Sequence, residues 1–285
     1  MGMSTPADES PPEGTSASVE LAPQPARGGW HFAEWLSELA GTTILVFVGL
    51  SAVTLVSAQG SVVERLLPPE SLRLLLLGVI FAVIIILIAI SPIGRRSGAH
   101  INPAVTLAFR ITGHVHPHDL GGYWAGQFAG GLLGAGLLRA AWGSAAASLD
   151  YGALQPSVGT LEAIGLEAVM TGALVLAMFA FLSSPRTARW TPVAAGAAVA
   201  LTVWLGAPAT GTGINPARTF GPNIVAGDYR SWWVYFVGPA VGAAVVAAVW
   251  GLVPWPVLTA KLYHDSRYPS VLRTHLPARP PEPGS

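Results

Sequence analysis

Two short segments place the same polar motif inside otherwise apolar sequence. SGAHINPAVTL (97–107) and GTGINPARTFGP (211–222) both contain Ile-Asn-Pro-Ala, and they hold two of the chain's three asparagines. An asparagine side chain readily accepts hydrogen bonds from the first backbone N–H groups of a helix. Proline is favoured at the first helical position, where its missing N–H costs nothing. Each motif therefore predicts the start of a helix, at Asn102-Pro103-Ala104 and at Asn215-Pro216-Ala217.

The composition predicts an all-helical membrane protein. Of the 285 residues, 52% are hydrophobic and only 11% are charged, whereas soluble domains carry about 25% charged residues. A membrane-spanning helix needs about 20 apolar residues. Six stretches without charge meet that need: 39–58, 74–94, 120–138, 168–185, 190–217 and 231–260.

The chain also contains an internal repeat of three predicted spans per half. An acidic residue comes early in each half, at Glu38 and Glu167, and a Gly-x-x-x-Gly step follows each Asn-Pro-Ala motif. Because three is an odd number, the second half enters the membrane from the opposite side, as in inverted repeats. The glycine steps, which allow close helix packing in lipid, are Gly130/Gly134 and Gly238/Gly242.

Polar, proline-rich ends and the repeat divide the chain into segments. We expect disordered cytoplasmic tails over 1–28 and 256–285, a first repeat over 29–143, an extracellular loop over 144–159 and a second repeat over 160–255. The orientation follows from Lys and Arg, which favour cytoplasmic segments. With both termini in the cytoplasm, ten of the 15 basic residues lie inside: Arg27, Arg95, Arg96, Arg110, Arg186, Arg189, Lys261, Arg267, Arg273 and Arg279.

The helices that begin at the two motifs fit half a membrane. Residues 103–112 and 216–225 each give about 15 Å at 1.5 Å per residue, half of a hydrocarbon core of about 30 Å. Their N-termini should meet near the bilayer centre. The approaches, 97–101 and 211–214, have irregular backbone, which at that depth must be buried in protein or line a water-filled cavity. Carbonyls expected to line such a cavity belong to Gly98, Ala99, His100, Ile101, Gly211, Gly213 and Ile214.

These motifs, together with WVYFVGPAVGA (233–243) and the paired Glu38 and Glu167, resemble the aquaporin (major intrinsic protein) family over about residues 30–255. The resemblance implies six spanning helices plus two re-entrant half-helices, a pore in every subunit, a homotetramer, and passive permeation without chemistry. It also implies that Glu38 and Glu167 support the two irregular loops. The two half-helix N-termini would oppose cations at the midplane, which is the general explanation of proton exclusion in aquaporin-type pores.

The resemblance further implies a narrow selectivity filter made by four residues. Arg218 and Thr212 are two of them. An arginine at mid-span costs about 3 kcal/mol on insertion scales, so it should face a wet cavity. The other two depend on alignment: Ala82 or Phe81 in the second span, and Val203 or Trp204 in the fifth, where water channels carry a histidine. Ala82 with Val203 predicts a wider filter, and Phe81 with Trp204 a tight one.

The first expectation is therefore a water channel that excludes protons and ions, in the plasma or inner membrane. The alternative is a facilitator of glycerol-like neutral solutes, because the fifth-span histidine is absent. A coupled transporter is less favoured because no acid lies beside the motifs, and a non-conducting structural membrane protein remains open. No enzyme, cofactor or nucleic-acid partner is expected. No metal site is expected either, because the chain lacks cysteine and His114, His116 and His118 read as a solvated loop.

Overall fold

The computed structural model of the protein describes residues 30–115 and 117–258. The first half contains α1 (Phe32–Ser57), α2 (Val62–Leu66), α3 (Glu70–Ile90), α4 (Pro92–Ser97), α5 (Pro103–Ile111) and α6 (Pro117–Ala147). A 3₁₀ turn at Asp150–Gly152 joins it to the second half. That half contains α7 (Thr160–Leu182), α8 (Pro185–Ala188), α9 (Thr191–Thr210), α10 (Pro216–Ala226) and α11 (Val234–Trp250).

Six of these helices are long, and four of the six are long and apolar enough to cross a membrane. Helices α1, α3, α7 and α9 combine at least 18 residues with high mean hydropathy, and α11 is an apolar helix of 17 residues. Helix α6 is the longest at 31 residues and is rich in glycine, with a break at Gly143 (φ 48°). The short α5 and α10, with 9 and 11 residues, extend only about 14 and 16 Å. The predicted fold class, six spanning helices plus two half-helices, is confirmed.

The packing follows the inverted repeat. Helix α1 packs along α6 in the first half, α7 packs along α11 in the second, and α3 and α9 meet between the halves. Each half-helix lies mainly against the last spanning helix of the other half, α5 against α11 and α10 against α6. Each half therefore supplies part of the other's site.

Glycines in the two Gly-x-x-x-Gly steps let these helices touch. On α6, a Cβ on Gly134 would lie 2.8 Å from the Thr43 carbonyl oxygen of α1. On α11, a Cβ on Gly238 would lie 2.6 Å from the Glu167 Cβ of α7, and one on Gly242 would meet the Ala168 carbonyl oxygen. The backbones approach more closely than any side chain allows, which is the use of small residues expected between helices in lipid.

The chain ends differ in part from expectation. The predicted disordered tails fall outside the described residues, except for the first three residues of the second one, 256–258. There Val257 is buried and the Leu258 N–H donates to the Leu182 carbonyl at 2.8 Å. The apolar Val-Leu pair covers the end of α7, despite the surrounding prolines.

Gly242→Ala should lower the thermal stability of the protein. Its new Cβ meets backbone rather than a flexible side chain, and overpacking of this kind costs about 1–3 kcal/mol. The measurement is the midpoint of thermal unfolding in detergent. The matched control is Gly165→Ala on α7, where a Cβ meets nothing within 4 Å. An equal midpoint for both variants would contradict the packing described here.

Candidate functional site

Each asparagine of the repeated motif caps its half-helix. Asn102 Oδ1 accepts from the Ala104 N–H at 2.9 Å, and Asn215 Oδ1 accepts from the Ala217 N–H at 3.0 Å and the Arg218 N–H at 3.3 Å. The helices then begin at Pro103 and Pro216, as the motifs predict. The asparagine cap and the proline that follows it together determine where each short helix starts.

The two caps are also bonded across the repeat. Asn102 Nδ2 donates to the Ile214 carbonyl at 2.9 Å, and Asn215 Nδ2 donates to the Ile101 carbonyl at 2.7 Å. These bonds hold the two half-helix N-termini against each other. Because an amide nitrogen carries two hydrogens, each asparagine keeps a second N–H, and both residues line a cavity. These two hydrogen bonds between the halves were not predicted from the sequence, although the isoleucine before each asparagine is a repeated signal.

The two approach loops share an unusual backbone. Positive φ angles occur at Gly98, Ala99 and Ile101 in the first loop, and 113 positions later at Gly211, Thr212 and Ile214 in the second. A β-branched residue at positive φ is a genuine outlier, and Ile101 and Ile214 have φ of 42° and 33°. Such strain persists only where surrounding contacts over-determine it.

A buried glutamate supplies those contacts in each half. Glu38 accepts from the His100 N–H at 3.0 Å, the Ile101 N–H at 2.6 Å and Gln127 Nε2 at 2.7 Å. Glu167 accepts from the Gly213 N–H at 2.8 Å, the Ile214 N–H at 2.6 Å and the Thr210 hydroxyl at 2.7 Å. Both carboxyl side chains are fully buried. The backbone donors of both loops are thus directed at the two glutamates.

His100 is held in place by its neighbours in the first loop. Its ring stacks on Phe109 at 4.8 Å between centroids and meets Tyr123 edge-on at 5.2 Å. Its Nδ1 lies 3.0 Å from the Thr106 hydroxyl. The residue is buried and lines the cavity, so these contacts fix the ring beside the loop backbone.

A cavity of about 510 Å³ runs from the 3₁₀ turn at Asp150–Gly152 to the point where the two half-helices meet. Its polar side holds both asparagines, Arg218 and residues 99–101 and 211–214. Its other side is apolar and is built from helical stripes on α3 and α9: Leu74, Leu77, Phe81, Ile85, Ala195, Val199, Val203 and Ala207. Of the residues expected to offer carbonyls, Gly98 alone is not part of this wall.

Two filter positions depend on alignment, and at each of them one of the two candidate residues lines the cavity. Phe81 and Val203 line the cavity. Ala82 faces α9 instead, where a Cβ on Gly196 would lie 3.2 Å from its own Cβ. Trp204 is 37% exposed on the outer surface. Ala82 and Trp204 do not line this cavity, because a shift of one residue turns a helical side chain by about 100°.

Thr212 and Arg218 both line the cavity, with their polar groups held by backbone. The Thr212 hydroxyl donates to the Thr202 carbonyl of α9 at 2.9 Å. Arg218 Nη1 donates to the Gly152 carbonyl at 2.8 Å. Gly152, which the sequence analysis did not single out, has φ of 77°, and a Cβ there would lie 2.7 Å from Leu50. A side chain at this position would move the carbonyl that holds the arginine.

The turn that carries Gly152 is anchored to the end of α10. Asn223 is buried there and bonds both backbone groups of Leu154, and its Nδ2 also donates to the Asp228 carbonyl at 2.9 Å. Hydrogen bonds from the Arg230 side chain lower the pKa of Asp228 to about 2. Asp228 therefore stays ionised and also accepts from Gln155, which ties the connecting loop to the second half.

Of the three histidines predicted to lie in a solvated loop, His114 and His118 belong to the described residues. His114 Nδ1 lies 3.0 Å from the Thr112 hydroxyl, and burial lowers its pKa. His118 lies in the first turn of α6, where its ring stacks on His31 at 5.5 Å. His118 therefore lies on a helix rather than in a loop, and both rings pack against neighbours while remaining partly exposed. His116 lies outside the described residues.

Comparison with known proteins assigns this architecture. The family model described as "Major intrinsic protein" matches residues 30–250. The chain belongs to the major intrinsic protein family. Members of the family are membrane channels rather than enzymes, which confirms the resemblance seen in the sequence and the prediction that the chain is not an enzyme.

Curated relatives of this major intrinsic protein are aquaporins and a lens protein. It is 30% identical over 220 residues to "Probable aquaporin TIP2-2" of Arabidopsis thaliana, covering 76% of this chain and 85% of that one. It is 35% identical over 199 residues to the chicken "Lens fiber major intrinsic protein", covering 68% and 74%. A 36% match to rat "Aquaporin-6" covers 57% of this chain and only 59% of that relative.

A solved structure agrees in fold. The aquaglyceroporin from Plasmodium falciparum superposes with a TM-score of 0.66 at 18% sequence identity, covering 79% of this chain and 97% of that one. At this identity the likeness concerns the helix arrangement alone. It supports the assignment of the six-helix, two-half-helix architecture.

Glu167→Gln should destabilise the second loop. The amide retains one acceptor oxygen but turns an NH₂ group toward a backbone N–H, and an unsatisfied buried donor costs about 1–3 kcal/mol. The thermal unfolding midpoint in detergent should fall. Glu162→Gln, an exposed position on the same helix, is the control and should leave the midpoint unchanged. If the two variants unfold together, Glu167 does not hold the loop.

Proposed function

We propose that this major intrinsic protein conducts water passively and in single file, while excluding protons and ions. The observation that carries the proposal is the meeting of two asparagine-capped half-helices, bonded to each other's loops, at the inner end of a cavity. The cavity is lined by polar backbone on one side and by apolar side chains on the other. Its polar groups therefore form a single row along the passage. Such a lining suits small neutral molecules that both donate and accept hydrogen bonds.

Exclusion of protons and cations follows from the same meeting point. Each half-helix N-terminus carries roughly half a positive charge, and Arg218 adds a full charge further out. The second N–H of each asparagine offers a donor to a solute oxygen. A water molecule whose oxygen accepts from both asparagines has its own hydrogens directed away from them, which interrupts proton transfer along the file.

The candidate filter supports water as the main solute. Phe81 and Arg218 both line the cavity, so a flat aromatic ring and a guanidinium border the same passage. Gly49 of α1 lies directly against the Phe81 ring, which limits the ring's freedom to move aside. A fixed aromatic side chain narrows the passage in the way that the tight-filter alternative requires.

A facilitator of glycerol-like solutes is the second candidate. Val203 lines the cavity where water channels carry a polar histidine, and the Thr212 hydroxyl is occupied by the Thr202 carbonyl. The resulting passage is polar on the Arg218 side and apolar opposite it. A polyol can present its hydroxyl groups to the first side and its carbon chain to the second.

The membrane and the assembly are part of the proposal. We infer a plasma or inner membrane location with both termini in the cytoplasm, from the distribution of Lys and Arg. We also infer a homotetramer, by analogy with the family. Large apolar side chains exposed on the helices, such as Leu161, Val169 and Leu205, are available to lipid and to neighbouring subunits.

Stopped-flow light scattering on proteoliposomes tests the water proposal. A gradient of an impermeant sugar should cause fast shrinkage with a low activation energy, independent of any proton or sodium gradient. Shrinkage no faster than in empty liposomes would indicate a non-conducting structural role. Flux that requires an ion gradient would indicate a coupled transporter.

Phe81→Ala should raise the glycerol permeability several-fold relative to that of water, because it removes the ring that narrows the passage. The readout is re-swelling of proteoliposomes after glycerol shock. Trp204→Ala is the aromatic control on the outer surface of α9 and should leave the ratio unchanged. Rapid glycerol entry in the unaltered protein would instead favour the second candidate.

Asn215→Asp should admit protons. The variant keeps the capping oxygen, but it adds a negative charge between the two positive helix ends. Proton flux is measured with a pH-sensitive dye inside proteoliposomes under an imposed potential. Gln59→Glu, at an exposed position in the turn after α1, is the control for an amide-to-carboxylate change away from the meeting point. Equal proton flux through both variants would refute the proposed barrier.

A further inference from the structure

Two histidines and an aspartate come together outside the pore, where α1 and α6 begin. His31 precedes α1, and His118 and Asp119 lie in the first turn of α6. His31 Nδ1 lies 2.9 and 3.0 Å from the two carboxylate oxygens of Asp119, and His118 Nε2 lies 3.4 Å from Oδ2. One potential ligand atom from each residue lies within 4.8 Å of the others. We call these three residues the α1–α6 cluster.

The spacing in the cluster is close to that of a metal site. Tetrahedral zinc with bonds of about 2.0–2.1 Å to nitrogen and oxygen places neighbouring ligand atoms about 3.3 Å apart. In the cluster, Asp119 Oδ2 lies 3.0 Å from His31 Nδ1 and 3.4 Å from His118 Nε2. The two imidazole nitrogens lie within 4.8 Å of each other, so a rotation of the partly exposed rings toward Asp119 Oδ2 would let all three atoms bind one ion.

The carboxylate is fixed by a further hydrogen bond. Trp35 Nε1 donates to Asp119 Oδ1 at 3.0 Å, which leaves Oδ2 as the oxygen between the two imidazoles. The Trp35 ring itself lies against the backbone of Gly122 on α6. Outer partners that orient a ligand in this way are typical of metal sites.

The exposure of the cluster also suits an ion. The Asp119 side chain is fully buried, whereas those of His31 and His118 are 20% and 34% exposed. The buried side supplies the charged ligand, and the open side admits the ion and a water molecule as a fourth ligand. Two imidazoles and one carboxylate are a donor set suited to zinc, cobalt, nickel and copper rather than to calcium or magnesium.

We propose that His31, His118 and Asp119 form a binding site for one divalent transition-metal ion, zinc or a similar ion, which joins the start of α1 to the start of α6. A metal ion binds the ring nitrogen that carries no proton, so binding replaces the hydrogen bond between His31 Nδ1 and Asp119 with a bond from each of these groups to the ion, and the His31 ring keeps its proton on Nε2. The site is separate from the proposed pore, because none of its three residues lines the cavity.

Cobalt titration of the full-length protein tests the site. The protein is purified without a polyhistidine tag, treated with EDTA, and titrated with Co²⁺ while visible absorption reports coordination, followed by displacement with Zn²⁺. We expect one Co²⁺ per chain. His31→Gln and His118→Gln should each weaken binding at least tenfold, and Trp35→Phe should weaken it by about tenfold through loss of the outer hydrogen bond.

Two controls separate the cluster from four of the chain's five other histidines, all but buried His100. His114→Gln, and a triple variant of His116, His264 and His275 to Gln, should leave the Co²⁺ affinity unchanged. If a cluster variant fails to fold, X-ray absorption of the Co²⁺-loaded unaltered protein decides, since it should detect two imidazoles and at least one oxygen ligand. Absence of stoichiometric binding, or binding lost only in the control variants, would overturn the proposal.

Discussion

The fold depends on how backbone polar groups are satisfied at the point where the two half-helices meet. No lipid-exposed irregular backbone is tolerated at that depth, yet residues 98–101 and 211–214 are irregular. Two backbone N–H groups of each loop donate to a buried glutamate, and the carbonyls of Ile101 and Ile214 accept from the asparagine of the opposite half. Each half therefore completes the hydrogen bonding of the other, and neither is satisfied alone.

This arrangement stores strain in a specific place. Non-glycine residues at positive φ cost about 1–3 kcal/mol each, and the loops hold four: Ala99, Ile101, Thr212 and Ile214. The alternating backbone directs N–H groups toward Glu38 and Glu167, which are held on the long helices α1 and α7. The strain is thus balanced by charge-assisted hydrogen bonds, which are about twice as strong as neutral ones.

Local signals explain what the sequence could predict. Asn-Pro defines a helix start by itself, so the starts of α5 and α10 followed from the motifs, and uncharged stretches gave the spans. Rotation of a helix is not local: whether Phe81 or Ala82 faces the cavity depends on how α3 packs against Gly49 and Gly196. The Gly152 contact with Arg218 depends on a turn without regular periodicity, and the pairing of His31 with His118 joins residues 87 positions apart through the packing of α1 on α6.

The two walls of the cavity are formed by different kinds of groups. Backbone groups, whose positions are set by helix ends and buried glutamates, provide the polar wall, so its chemistry changes little when surface residues change. Side chains of α3 and α9 provide the apolar wall, where one residue such as Phe81 or Val203 alters width and polarity without touching the half-helices. Solute choice can therefore vary in this fold while the proposed barrier at the meeting of Asn102 and Asn215 stays constant, because the two properties reside on different structural elements.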